Sequence, residues 1–436
     1  MRLVLRKCIS PRGEVKVSGD KSITHRGFII GAVARGRSVL RGYSRCQDCV
    51  ATLKTLRELG IFTEESESTV SIQGKGLGGL TEPDDVLNCE NSGTTMRLLA
   101  GLLSGQDFFS VLTGDGSLRR RPMSRIIQPL SQMGAEIRAR SGGRFAPLSI
   151  QGSTLKSIDY TLPVASAQVK SAILLAGLCA DGETIVEEPY PTRDHTERML
   201  ALFGAKIEKA GERTILRGED SNLEAKELIV PGDLSSAAYF IVLASLARDS
   251  EILLKDVGVN PTRTGILDAL EMMGAGISFL NRRTVSNEPV ADLMIKSGGL
   301  EGREVSGKLI PRLIDEIPVL AVAATQAEGV TVVRDAAELR VKETDRIKAI
   351  VKELKKMGAK IEEREDGFTV EGPTRLYGAS CSSFGDHRIA IALAIAGLIA
   401  DGVTTIDGAE CIDISFPEFI PTARKVCGED RLTTQD

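Results

Sequence analysis

The chain has 436 residues, 42% hydrophobic and 26% charged, which is enough for two or three domains with their own cores and gives no sign of disorder. Its 55 basic and 59 acidic residues leave a net charge of −4, a poor electrostatic footprint for a nucleic-acid binder. No N-terminal stretch resembles a signal peptide and the longest apolar run, Ile389 to Ala400, is too short to span a bilayer, so a cytoplasmic protein without nucleic-acid or membrane partners is expected.

In chain order, Gly19-Asp20-Lys21-Ser22-Ile23-Thr24-His25-Arg26 reads as a helix start, with Ser22 and Arg26 one turn apart and Lys21 in the first turn. Lysine supplies a point charge and arginine a planar fork, and beside a helix N-terminus both suit phosphate or carboxylate. Cys46-x-x-Cys49 is the one close cysteine pair among eight cysteines, and no second pair completes a zinc site. Ser92-Gly93-Thr94 opens another apolar helix. Gly114 to Arg125 carries Arg119, Arg120 and Arg121 after a turn, and of three consecutive arginines at most two can face one site. Ser166-Ala167-Gln168 precedes Ile173 to Gly182, and Arg193 and His195 follow in Arg193-Asp-His-Thr-Glu.

The second half repeats the scheme. Ser235-Ser236, Asp315-Glu316 and His387-Arg388 stand just ahead of apolar helices, and Val341-Lys342-Glu343-Thr344-Asp345-Arg346 places an acid and a base one turn apart. Asp315 and Glu343 come from separate elements and offer two carboxylates for acid and base work. The punctuation that organises all of this is a helix stopped by glycine and followed by an alternating strand. It ends at Gly60, Gly134, Gly204, Gly274, Gly358 and Gly428, at spacings of 74, 70, 70, 84 and 70 residues. Six units predict two sets of three, with a polar group at each apolar helix start. If their N-termini converge, the ligand is strongly anionic.

Gly19-Asp-Lys-Ser-Ile-Thr-His-Arg26, Arg121-Pro-Met-Ser-Arg125, Ser166-Ala-Gln-Val-Lys170, Asp194-His-Thr-Glu-Arg-Met199, Leu339-Arg-Val-Lys-Glu-Thr-Asp-Arg346 and Gly385-Asp-His-Arg-Ile-Ala390 together closely resemble the EPSP synthase (3-phosphoshikimate 1-carboxyvinyltransferase) family, in its class II-like branch. The resemblance runs nearly end to end. It implies an α/β (α+β) fold of the enolpyruvyl transferase type: two domains, each of three βαβ-type repeats with pseudo-threefold symmetry, closing about a hinge. The expected division is 1–18 plus 233–436 for the C-terminal-type domain and 19–232 for the N-terminal-type domain.

It further implies transfer of the enolpyruvyl group of phosphoenolpyruvate to the 5-hydroxyl of 3-phosphoshikimate in the shikimate pathway to chorismate and the aromatic amino acids, by a monomer with no cofactor and no metal. Carried over residue by residue, Lys21, Ser22, Arg26, Ser166, Ala167, Gln168, Arg193, Asp315 and Lys342 match the 3-phosphoshikimate site. Lys21, Gly93, Arg121, Gln168, Arg346 and Arg388 match the phosphoenolpyruvate site, with Arg119 and Arg120 as alternatives to Arg121 in another register. Asp315 matches the proton acceptor, and Glu343 or Lys21 the proton donor.

Two departures stand out. Asp413-Ile414-Ser415-Phe416-Pro417 lacks the lysine that many members place before Phe-Pro, and Gly93 stands where glyphosate-tolerant class II members often have alanine, which implies a more glyphosate-sensitive target. Three rival readings share the repeat architecture. A UDP-N-acetylglucosamine enolpyruvyl transferase uses a loop cysteine, absent from Gly114 to Arg125; an RNA 3′-phosphate cyclase fits neither the acidic balance nor the motifs. A catalytically inactive anion-binding protein would not need Asp315, Glu343 and Lys21.

Overall fold

The computed structural model describes residues 1–435, and these form two compact units, Met1–Ser18 with Pro231–Thr284 and Pro289 onward, and Gly19–Val230 with Val285–Glu288. The chain returns at Pro231, two residues ahead of the expected Asp233. Residues 285–288, expected with the C-terminal domain, group instead with Gly19–Val230. The cause is local: Glu288 meets the His195 ring at 2.7 Å, and Asn287 exchanges hydrogen bonds with Arg198 at 2.9 and 3.1 Å.

Each unit contains three four-stranded sheets of one design. A short strand runs parallel to a second, which pairs antiparallel with a fourth, which pairs with the third at the edge. In the Gly19–Val230 unit, Leu87–Asn88 lies along Phe109–Thr113, followed by Phe145–Gln151 and Glu136–Ala139. Asp159–Thr161, Glu183–Glu187, Arg213–Arg217 and Lys206–Ala210 repeat it. The first repeat borrows its opening strand from the far end of the unit, where Glu227–Ile229 runs parallel to Arg35–Arg41. In the other unit residues 1–18 fill two such slots. Arg12–Val15 runs parallel to Glu251–Gly258, and Arg2–Arg6 sits between Val403–Asp407 and Leu432–Gln435.

Each sheet's repeat carries one inner helix, six among the described residues: α1 (Lys21–Val33), α2 (Gly93–Leu103), α3 (Ala167–Gly177), α4 (Leu234–Leu246), α5 (Ile317–Gln326) and α6 (His387–Ile399). Of these, α2, α3, α5 and α6 connect parallel neighbours, while α1 and α4 lead from a strand of one sheet to a strand of another. All six are apolar nearly all round, as α6 shows in Ile389-Ala-Ile-Ala-Leu-Ala-Ile-Ala-Gly-Leu, and such helices are stable only when enclosed. All thirteen residues of α6 but Ile399 are buried. Each unit therefore has its own core with three of these helices at its centre.

The outer helices of the repeats are amphipathic and end on the six periodic glycines, all at positive φ between 81° and 102°. In five copies the amide after the glycine reaches back to the carbonyl five residues earlier, as in Ala205 to Leu200 at 2.9 Å and Ala359 to Leu354 at 3.0 Å. This 6→1 bond is the Schellman stop, and it needs a residue at ease with positive φ. Gly101 serves a different need, since a Cβ on it would come 2.2 Å from the Ala172 carbonyl oxygen where α2 crosses α3. Gly134→Ala, with nothing nearer than 3.7 Å, is expected to cost about 1–2 kcal/mol of backbone strain. Gly101→Ala is expected to cost clearly more, because two helix backbones must separate. Denaturant melts of the two variants check this order.

Candidate active site

In the Gly19–Val230 unit three inner-helix starts are tied together. Asp20 caps α1 by accepting from the Ile23 amide at 2.9 Å, Ser92 caps α2 through the Thr95 amide at 3.1 Å, and Ser166 caps α3 through the Val169 amide at 3.4 Å. The capping residue is thus not always the polar pair expected from sequence. Lys21-Ser22, Ser235-Ser236 and His387-Arg388 lie inside the first turn, and Asp20, Asp233 and Asp386 just before them do the capping. Glu316, before α5, makes no capping bond. The reason is chemical: a short carboxylate in extended backbone reaches the second or third amide, which frees the first-turn side chains for other work.

Gln168 on α3 donates to Thr94 of α2 at 2.9 Å and accepts from Arg97 at 2.6 Å, and Arg97 also donates to the Pro122 carbonyl at 3.2 Å. Arg121, of the three consecutive arginines, is the buried one, held by the Asn91 carbonyl at 3.2 Å, the Asn91 side chain at 2.5 Å and Ser117 at 3.2 Å. Arg119 and Arg120 are exposed. Gly93 lies beneath both guanidinium groups: a Cβ there would come 2.7 Å from Arg97 and 3.5 Å from Arg121. Lys21 pairs with Asp48 at 2.9 Å.

Arg26 is only 3% exposed. It donates to Thr196 at 2.6 Å, Ser171 at 2.8 Å and the Ser22 carbonyl at 2.9 Å, so it fastens α1 to α3 and to helix His195–Phe203. Burial first, and the neighbouring charge of Arg193, push its pKa down to about 10 against the pull of Glu197. Ser166 and Ala167 form the start of α3 itself. Beneath it Lys170 bridges Glu188 at 2.8 Å and Glu197 at 2.6 Å, and Glu188 also accepts from the Thr192 amide at 3.1 Å, anchoring the loop that carries Arg193.

The three histidines are framework groups in different ways. His25 shares a hydrogen bond with Thr52 at 2.6 Å, and the chain continues through Thr95 at 2.6 Å to Ser92 at 2.7 Å. His195 meets Glu288, and His387 opens α6. Cys46 and Cys49 are buried at the start of helix Gln47–Glu58, with the Cys49 thiol donating to the Lys21 carbonyl at 3.7 Å. Among the described residues no three His, Cys, Asp or Glu side chains are placed to hold a metal ion.

In the other unit Arg346 is the centre of an acidic cage, donating to Asp386 at 2.8 Å, Glu343 at 2.6 Å and Asp315 at 3.3 Å. Arg388 stands 3.9 Å from Asp315 and 3.6 Å from Glu316, and Lys342 stands 4.0 Å from Asp315. Asp315 therefore has three cations within reach. Burial alone would lower both arginine pKa values, but it is outweighed, for Arg346 by Asp386, Glu343 and Asp315, and for Arg388 by Tyr239, Asp315 and Glu316. Burial pushes the Lys342 ammonium below its ordinary range despite Asp315, and the Tyr239 hydroxyl up to about 12. Ser235, where α4 starts, hydrogen-bonds Glu316 and accepts from Arg263 at 2.6 Å.

The expected site residues include none of Asp48, Arg97, Arg263, Glu316 and Asp386, although Glu316 stands in the Asp315-Glu316 pair and Asp386 in the Gly385–Ala390 motif. Arg97 had a signal, one helical turn after Gly93 on the same face. The others emerge only from tertiary pairing. The segment Asp413 to Pro417, which lacks the family's lysine, instead buries Phe416 against Phe240 and Phe419 with ring centroids 6.2 and 5.9 Å apart.

The comparisons with known proteins agree with one another. The sequence pattern of EPSP synthase (3-phosphoshikimate 1-carboxyvinyltransferase) matches residues 8–422. Among the solved structures, an EPSP synthase from Acinetobacter baumannii superposes with a TM-score of 0.89 at 43% identity, covering all of both chains. The enolpyruvyl transferase NikO from Streptomyces tendae gives 0.80 at 19% identity over 100% of this chain and 99% of that one, a likeness of fold. The architecture is therefore the two-domain enolpyruvyl transferase fold. A 3-phosphoshikimate 1-carboxyvinyltransferase from Geobacter metallireducens is 54% identical over 95% of this chain and 96% of its own, and one from Geotalea daltonii 56% over 94% and 95%. The chain belongs to the EPSP synthase family. No helix among the described residues is long and apolar enough to cross a membrane.

Burial holds His25 well below its ordinary value of 6.5, helped by the charges of Lys21 and Arg26. The unfolded chain binds a proton there as pH falls below that value and the folded chain does not, so this group's contribution is present above the unfolded pKa and lost on acidification. The urea midpoint is expected to fall less between about pH 7.5 and 5.5 in His25→Asn than in the wild type. Parallel slopes would contradict this.

Proposed function

We infer that this chain transfers the enolpyruvyl group of phosphoenolpyruvate to the 5-hydroxyl of 3-phosphoshikimate, releasing phosphate, by addition followed by elimination. The observation that carries the mechanism is Asp315, a carboxylate oriented by Arg346, Arg388 and Lys342 rather than consumed by one partner. Both substrates are anions, and the site residues offer them two kinds of grip. Capped helix starts present amide N–H groups, and arginine forks present paired donors for carboxylate and phosphate oxygens.

In this reading Lys21, Ser22, Arg26, Ser166, Ala167, Gln168, Arg193 and Lys342 hold 3-phosphoshikimate. Lys21, Gly93, Arg121, Gln168, Arg346 and Arg388 hold phosphoenolpyruvate. Arg26 acts from within, fixing the Ser22 carbonyl and the starts of α1 and α3. Asp315 accepts the proton of the 5-hydroxyl as its oxygen attacks the enol carbon, and Glu343 or Lys21 protonates the methylene. The tetrahedral adduct then loses phosphate as the proton transfers reverse. The arginines stabilise charge on carboxylate and phosphate throughout. We read the working form as a cytoplasmic monomer.

Asp315→Asn keeps the shape of the side chain and removes the base. Its phosphate release is expected to fall by roughly 10²–10⁴-fold in kcat with KM for both substrates changed little. A rate within a few-fold of wild type would remove Asp315 from the proton transfer. At Gly93 an added methyl group would come 2.7 Å from Arg97, which must shift, and rest in van der Waals contact at 3.5 Å with the phosphoenolpyruvate arginine Arg121. Gly93→Ala is expected to shift the glyphosate inhibition curve to higher concentration, and coincident curves for variant and wild type would refute the sensitivity assigned to Gly93.

A further inference from the structure

Arg346 and Arg388 both face Asp315, yet they are held in different ways. Arg346 has all three guanidinium nitrogens engaged, with Asp386 at 2.8 Å, Glu343 at 2.6 Å and Asp315 at 3.3 Å. Arg388 lies between two consecutive carboxylates that stop short of hydrogen-bond distance. One of its terminal nitrogens stands 3.6 Å from Glu316 and the other 3.9 Å from Asp315. Its Nε is buried and has no hydrogen-bond partner among the described residues. Arg388 is therefore balanced in charge while neither acid takes a hydrogen bond from its fork.

We propose, on the reading that Arg388 holds phosphoenolpyruvate, that Glu316 is a positioning residue for the transfer: it fixes the Arg388 guanidinium by charge and leaves its N–H groups for the substrate. A carboxylate or phosphate that arrives meets a planar pair of donors and need not displace either acid. Glu316 also takes a share of the Arg388 charge from Asp315. Asp315 is then freer to accept the proton of the 5-hydroxyl.

Glu316 can do this because it is itself held still. Its amide donates to the Leu313 carbonyl at 2.9 Å and its carbonyl accepts from the Leu320 amide at 3.0 Å, which sets its backbone at the entrance to α5. The side chain makes no capping bond there and turns instead to Ser235 in the first turn of α4, whose hydroxyl donates to it. That hydroxyl accepts from Arg263 at 2.6 Å, Arg263 also donates to Asp233 at 3.1 Å, and Asp233 accepts from the Ser235 amide at 2.8 Å. Asp233, Ser235, Arg263 and Glu316 are each 5% exposed or less.

The charges divide in pairs. Asp233 lies against Arg263, so the charge of Glu316 is left for Arg388. Away from bulk water an ion pair at 3.6 Å is felt strongly even without a hydrogen bond. Glu316→Gln keeps the shape of the side chain and can still accept from Ser235, but it removes that charge. Asp315, at 3.9 Å, is then the acid left beside Arg388, and the two draw together at the expense of the substrate.

The test is steady-state phosphate release by the full-length protein, with phosphoenolpyruvate and 3-phosphoshikimate varied in turn and melting midpoints recorded in parallel. Glu316→Gln is expected to raise the KM for phosphoenolpyruvate about tenfold and to leave that for 3-phosphoshikimate within about twofold. Ser235→Ala keeps every charge and is the variant to read if Glu316→Gln folds poorly; its KM for phosphoenolpyruvate is expected to rise roughly threefold. In an Arg388→Gln background Glu316→Gln is expected to add no further rise, because the partner it acts through is gone. Additive effects, or KM values that rise alike for both substrates, mark a merely structural role and would overturn the proposal. So would an unchanged KM for phosphoenolpyruvate in Glu316→Gln and Ser235→Ala when Arg388→Gln raises it. An unchanged KM in Arg388→Gln overturns the assignment of Arg388, and this role with it.

Discussion

An inner helix that is apolar on every side can show polar chemistry only at its ends, and this constraint shapes both units. Burial of α4 and α6 leaves their first turns as the places where backbone N–H groups, caps and charged side chains gather. The repeat places six such turns in the chain, three per unit. The chemistry-bearing residues are therefore concentrated at the starts of buried helices, on the rigid elements best able to hold them still.

The two units solve the same packing problem with different chemistry. In the Gly19–Val230 unit Asp20 caps α1, neutral and basic groups, Ser92, Gln168, Arg97 and Arg26, bind the helix starts beside it, and the other carboxylates are set back, with Asp48 on Lys21 and Glu188 and Glu197 under Lys170. The other unit brings the acids forward. Asp315, Glu316, Glu343 and Asp386 surround Arg346 and Arg388, so positive charge is held in place while carboxylates remain near it. Such an arrangement suits grip on an anion in the first case and proton transfer beside an anion in the second. The enclosed ion pairs are costly to break, since removing one partner leaves a charge buried without compensation.

Much of this was legible in the sequence because it is local. Gly60, Gly134, Gly204, Gly274, Gly358 and Gly428 announce the period, and all six have the positive φ that a helix-stopping glycine supplies. Lys21, Gly93, Arg346 and Arg388 lie in first turns, as their motifs imply. The capping residues were misplaced by one or two positions because Asp20, Asp233 and Asp386 sit beside equally polar neighbours. Arg26 is expected from its motif to grip 3-phosphoshikimate, and its partners Ser171 and Thr196, 145 and 170 residues away, are contacts that no local spacing reports. The same holds for Asp386 on Arg346, 40 residues apart, and for the strand slots that residues 1–18 fill.

The most direct test of the account is phosphate release from phosphoenolpyruvate by the purified chain, with 3-phosphoshikimate and UDP-N-acetylglucosamine as parallel acceptors. The account predicts release with 3-phosphoshikimate alone. Release with the nucleotide sugar, or none with either acceptor from a folded protein, would contradict it.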